Sequence, residues 1–165
     1  MSQNSYATNR LWSNKFLDQL KMVSGLLLFR VSSKVDDTTK NTDLIVLVTD
    51  TQKRIACRVR RYAYFERYPN DVTIRSANNG HKTEFEKIME GWGDYLIYAF
   101  ANQAEDSLEA YRIINLNAFR SNHAKIALQK RVNGDGTEFV TFNINQLPRG
   151  VLVTSGGFKR NNGLA

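Results

Sequence analysis

This 165-residue chain contains one cysteine, two histidines and no long hydrophobic run. The lone Cys57 excludes an internal disulfide and a cysteine-rich zinc site, and its place in an apolar alternation predicts a packed thiol rather than a reactive nucleophile. His81 and His123 stand apart, without metal-ligand spacing, which favours surface or capping roles over ligation. There is no phosphate-binding glycine loop, no nucleophile elbow and no Walker-type lysine, so nothing supports nucleoside triphosphate hydrolysis. No stretch approaches the length of a membrane helix, and the polar start Met1-Ser2-Gln3-Asn4-Ser5 is not followed by a hydrophobic region of signal-peptide length. The expectation is a cytoplasmic protein with no membrane partner. Internal repeats and low-complexity segments are missing too.

What is present is length enough for one domain with a sizeable core, and positive charge. The net charge is +7 with a pI near 9.6. Residues 53 to 82 hold eight Lys or Arg against only Glu66 and Asp71, so nearly all the excess sits there. Concentrated positive charge suits a polyanionic partner, most simply nucleic acid, because neutralising phosphates releases condensed counterions. A passive, solvated basic surface is the alternative.

The most informative stretch is residues 43 to 75. Asp43 opens the aliphatic run Leu44-Ile45-Val46-Leu47-Val48, which reads as a strand covered on both faces. Beyond a polar turn, Arg54 to Arg61 alternates, with Ile55, Cys57 and Val59 on one side and Arg58 and Arg60 on the other. If residues 50 to 53 form the turn, Asp43 lies opposite Arg60 and a carboxylate meets two guanidinium groups. A third strand at Asp71-Val72-Thr73-Ile74-Arg75-Ser76 hides Val72 and Ile74 and presents Thr73 and Arg75. The implied product is an anion-binding surface. Between these strands Arg60, Arg61, Tyr62, Tyr64, Phe65, Arg67 and Tyr68 interleave cations with aromatics, a pattern suited to backbone neutralisation and base stacking, with about half of the rings expected inside.

Around this stretch, residues 1 to 8 read as loose, and Asn9 as the cap of a helix bearing Leu11, Trp12, Phe16, Leu20 and Val23 and ending at Ser24-Gly25. Leu26 to Val31 reads as a strand and residues 32 to 42 as an exposed loop, a candidate flap before Asp43. Thr83-Glu84-Phe85-Glu86 matches a capping box, from which one helix with an apolar face is expected to reach Phe100; Glu86, Glu90 and Asp94 lie on its other side, as a solvated face or a metal-collecting one. Glu109 to Leu116 reads as a strand and Asn117 as the cap of a short helix. Ile126 to Val132 and Thr137 to Ile144 flank Asn133-Gly134-Asp135-Gly136 as a hairpin extending the sheet. A short strand at Val151 to Val153 and a flexible basic tail over 156 to 165 complete the chain, leaving residues 9 to 155 as one domain. The expected class is α/β (α+β), a central mixed sheet in αβββ(β)αβ order flanked by helices, with the hairpin appended.

The order helix, strand, strand, strand, helix, strand across residues 9 to 116 resembles that of the PD-(D/E)xK nuclease-like superfamily. The sequence also resembles a set of small phage and prophage proteins carrying versions of TDLIVL (42–47), RIACRVRR (54–61), RYPNDVTIRS (67–76) and KTEFEKIMEGWGDYLIYAFA (82–101). In such nucleases an acid opening the second strand and a Glu/Asp-x-Lys on the third bind Mg2+. Here Asp43 matches the acid, whereas Arg58-Val59-Arg60 stands where Glu/Asp-x-Lys belongs. Arginine neither ligates a metal nor serves as a base.

Two function classes follow. In the first, a phage-encoded protein binds nucleic acid, DNA in preference to RNA, through Arg54, Arg58, Arg60, Arg61, Tyr64, Arg67, Arg75 and Lys82, with Asp43 orienting the guanidinium groups and no cofactor. In the second, the resemblance implies a Mg2+-dependent nuclease in which Asp43 and a relocated Glu84 hold the metal and Arg60 stabilises the transition state. Docking of the basic face onto an acidic host protein is a further alternative.

Overall fold

The computed structural model describes residues 11–28, 53–77, 82–134 and 136–158. The strand expected at 44–48, residues 29–31 of the strand expected at Leu26 to Val31, the loop between them, Asp43, Asn9, His81 and the two chain ends lie outside these residues, and Leu26 to Leu28 are helical rather than extended. The chain divides into two compact units, Met1–Lys53 and Arg54–Ala165.

In the first unit a short helical turn at 11–14 precedes helix α1, Leu17–Leu28. The apolar spacing is realised in Phe16, Leu20 and Val23, all buried, with Trp12 packed edge-on against Phe16 at 5.1 Å between centroids. Leu11, placed on the same face by its spacing, is 70 % exposed. Ser24-Gly25 does not end the helix, which continues to Leu28. The Ser24 hydroxyl donates to the Lys21 carbonyl at 2.7 Å, a bond within the helix that satisfies the side chain without breaking the turn.

The second unit holds strands β1 (Ile55–Arg60), β2 (Asp71–Ala77), β3 (Tyr95–Ala101), β4 (Leu108–Asn115), β5 (Gln129–Val132), β6 (Glu138–Asn143) and β7 (Leu152–Gly157). Helices α2 (Tyr62–Arg67), α3 (Glu84–Met89) and α4 (Leu116–Ser121) and two 3-10 turns connect them. The class is mixed α+β, as expected. The strands, however, divide between two sheets, one ordered β1-β3-β4-β7 and one ordered β2-β6-β5. β1 pairs parallel with β3, and every other pairing is antiparallel.

The helix expected from Thr83 to Phe100 is the main correction. α3 stops at Met89, and the chain turns through Gly91 and Gly93, with φ of 99° and 79°, into β3. Left-handed backbone of this kind is cheap only for glycine, so the two glycines terminate the helix rather than letting it approach a sheet. Beyond them Leu96 to Ala101 are all buried, as suits a strand paired on both edges. The expected hairpin forms, with β5 pairing antiparallel to β6, but it extends β2 rather than the larger sheet. Gly156 and Gly157, expected in a loose tail, pair with Tyr111 and Ala110 in β7.

The core gathers Val72, Ile74, Val140 and Phe142 from one face of the smaller sheet with Leu96, Tyr98, Phe100 and Ile114 of the larger, and with Ile88 and Phe119 from α3 and α4. The opposite face of the smaller sheet carries Thr73, Arg75, Phe139, Thr141, Gln129 and Arg131 in register. No helix among the described residues is long and apolar enough to cross a membrane.

Candidate functional site

β1 brings Arg58 to a cavity of about 300 Å³ whose other walls are Cys57, Arg75, Lys82, Thr83 and Glu84. Three separate elements meet there. Alternation along β1 places Arg58 on the side of the sheet that carries Tyr98, its register partner in β3, and β2 delivers Arg75 from the smaller sheet. Thr83 fixes the third wall. Its hydroxyl accepts the Glu86 amide at 3.3 Å, while the Glu86 carboxylate accepts the Thr83 amide at 2.6 Å, so the expected capping box is present in full. These bonds, helped by Lys82, hold the Glu86 carboxyl below the usual carboxylate range.

Within the cavity, Arg58 Nη1 donates to Glu84 Oε2 at 2.5 Å, with the two side chains 20 % and 31 % exposed. Partial burial makes this pair stiffer than a surface ion pair, and it uses one guanidinium edge only. Lys82 meets Glu90 at 2.6 Å in a more open setting, a contact that solvent weakens and that an incoming anion can replace. Arg75 is half-buried, and among the described residues it has no salt bridge and its enclosed Nε no hydrogen-bond partner. Two guanidiniums and an ammonium thus line the cavity with one carboxylate. Cys57, which also borders the cavity, is exposed rather than packed; surrounding protein still pushes its thiol pKa above the ordinary value.

The remaining candidate residues lie elsewhere. Arg60 lies 3.9 Å over the Tyr64 ring, a cation–aromatic pair within the expected interleaved segment. Arg61 Nη1 donates to both carboxylate oxygens of Glu105, at 2.8 and 2.6 Å, so much of its charge is already answered. Arg54 reaches over Trp92 at 5.9 Å, and its amide donates to Asp94 Oδ2 at 2.8 Å. Arg67 is exposed; of the four rings in residues 62 to 68, Tyr62 and Phe65 are half-buried and Tyr64 and Tyr68 exposed. Of the arginines expected together, Arg58 and Arg75 line the cavity and Arg60 does not. Glu84, expected as a relocated metal ligand, has Arg58 as its partner. Among the described residues no three His, Cys, Asp or Glu side chains group as a metal site.

No family model, curated protein or solved structure matches the chain. The site must therefore be read from its own residues.

Proposed function

We propose that the protein binds nucleic acid, DNA first among the polymers, by holding a backbone phosphate in the cavity formed by Arg58, Arg75 and Lys82. The observation that carries the reading is the convergence of these three cations, supplied by β1, β2 and the segment entering α3, on one cavity with a single carboxylate. A phosphate accepts several charge-assisted hydrogen bonds at once, and two guanidiniums and an ammonium around one cavity match that demand. Glu84 acts in this reading as the counter-ion that fixes Arg58. The charge of the whole chain, +7, favours encounter with a polyanion.

The test is fluorescence anisotropy with labelled DNA and RNA oligonucleotides at several salt concentrations, in Mg2+ and in EDTA. The wild-type protein is expected to bind in a salt-sensitive way. Lys82→Gln, on an exposed side chain, should weaken binding about tenfold or more, in keeping with a charged hydrogen bond worth about 1.5–3 kcal/mol. Retention of wild-type affinity by both Lys82→Gln and Arg75→Gln would remove the cavity from the reading. Cleavage that requires Mg2+ would replace binding by phosphodiester hydrolysis.

A further inference from the structure

The three strands of the smaller sheet align Arg75, Phe139 and Arg131 in a single rung, because Phe139 of β6 is the register partner of both Arg75 in β2 and Arg131 in β5. All three project from the face opposite Val72, Ile74, Val140 and Phe142, which belong to the core. Phe139 itself is half-buried and takes no part in that core, an unusual position for a ring on an otherwise polar face. The Arg75 guanidinium carbon lies 6.0 Å from its centroid. Arg131 is exposed, and its Nη2 donates to Gln129 Oε1 at 3.2 Å, which keeps it on the same face. The neighbouring rung, Thr73, Thr141 and Gln129, is uncharged and partly covered: Thr141 is buried and the Thr73 hydroxyl lies 2.9 Å from that of Tyr98, so the accessible part of the face is the rung of Phe139 and Arg131. The face therefore offers one aromatic surface between two guanidiniums, and one of those, Arg75, also lines the cavity.

We propose that this sheet face is a platform for single-stranded nucleic acid, in which Phe139 stacks on one unpaired base while Arg75 and Arg131 hold the phosphates on either side of it. The inference rests on the cavity being a phosphate site and adds the substrate class. In a duplex each base is already covered by its neighbours, so a ring on a flat sheet gains a stacking partner only from a strand whose bases are free. The rung is about 10 Å wide, two inter-strand spacings, so a chain anchored in the cavity by Arg75 reaches the ring on the very next strand.

The experiment uses the full chain with labelled oligothymidylate, oligouridylate and a DNA duplex of equal length. Wild type should bind the single strands more tightly than the duplex. Phe139→Leu, which keeps an apolar side chain and removes the ring, should lose about tenfold on single strands and leave duplex binding unchanged. Phe139→Trp should restore it, and Arg131→Gln should flatten the salt dependence by about 0.7 in log–log slope. Circular dichroism melts of each variant confirm that the fold is kept. If Phe139→Leu binds single strands like wild type while Lys82→Gln is weakened, the platform is wrong and the cavity reading survives. If wild type binds none of the three polymers, both are wrong.

Discussion

Arg112 is the most enclosed charge among the described residues, at 8 % exposure, and its hydrogen-bond partners are main-chain carbonyls. Its Nη1 donates to Tyr111 O at 2.7 Å and to Gly156 O at 3.5 Å, and its Nη2 to Pro69 O at 2.9 Å. Burial lowers its pKa from the ordinary arginine value. The guanidinium still stays charged, since arginine is not deprotonated in proteins. One side chain thereby ties β4 to β7 and to the turn that leads into β2. Arg112→Ala is expected to destabilise the protein by about 2–3 kcal/mol, the loss of charged hydrogen bonds to three carbonyls, read as a lower denaturation midpoint at unchanged slope. Arg112→Lys should recover only part of this, because an ammonium lacks the planar fork that spans separate carbonyls. The role of Arg112 was hidden in the sequence, where Glu109 to Leu116 reads only as a strand with one cation. By contrast, the facing of Arg58 and Arg75 was legible, since period-two alternation is a local property.

At the scale of the element, the decisive feature is the turn between α3 and β3. The apolar residues Phe85, Ile88, Met89, Trp92, Leu96 and Phe100 fit a helical period, so periodicity alone favours one long helix. Two positive-φ glycines override it. Gly91→Ala meets open space and is expected to cost about 1 kcal/mol, from backbone strain alone. Gly93→Ala adds a Cβ only 3.1 Å from Leu116 Cδ1 to the same strain, and should cost more, on the order of 2 kcal/mol, with the difference measured by thermal or chemical denaturation of the two variants. At the start of α3, the capping box carries a pH dependence. The Glu86 carboxyl has its folded pKa depressed, so its stabilising effect is present above the unfolded carboxylate pKa and disappears as pH falls through the folded one. Wild type should therefore exceed Glu86→Gln in stability at neutral pH, and the gap should close on acidification below the usual carboxylate range. A gap that persists in strong acid would refute the assignment. The capping box was visible in the sequence because its four residues are contiguous; the helix end depended on backbone angles that composition does not reveal.

For the whole molecule, the distribution of charge differs from its first appearance along the chain. The basic stretch 53 to 82 contains two acids of its own, but Glu84, Glu90 and Glu105 come to it from later positions and pair with Arg58, Lys82 and Arg61. Much of the positive charge is therefore already answered, and binding should engage few phosphates. The expected log–log salt slope on single strands lies between about −1 and −2. A slope steeper than about −4 would mean that a diffuse basic surface, rather than the cavity and its adjoining rung, carries the contact. Strand pairing at this scale was the least legible part of the sequence, since β2, ending at Ala77, meets β6, starting at Glu138, across a long intervening segment and nothing local specifies the match.

That distant pairing has a consequence for the order in which the protein comes into being. During synthesis Arg75 leaves the ribosome well before Phe139, and until the later segment arrives β2 has neither its neighbour nor a ring beside its cation. A nascent chain stalled before Glu138 carries the whole basic stretch without the strand that flanks β2, so the rung of Arg75, Phe139 and Arg131 is completed late and in one step.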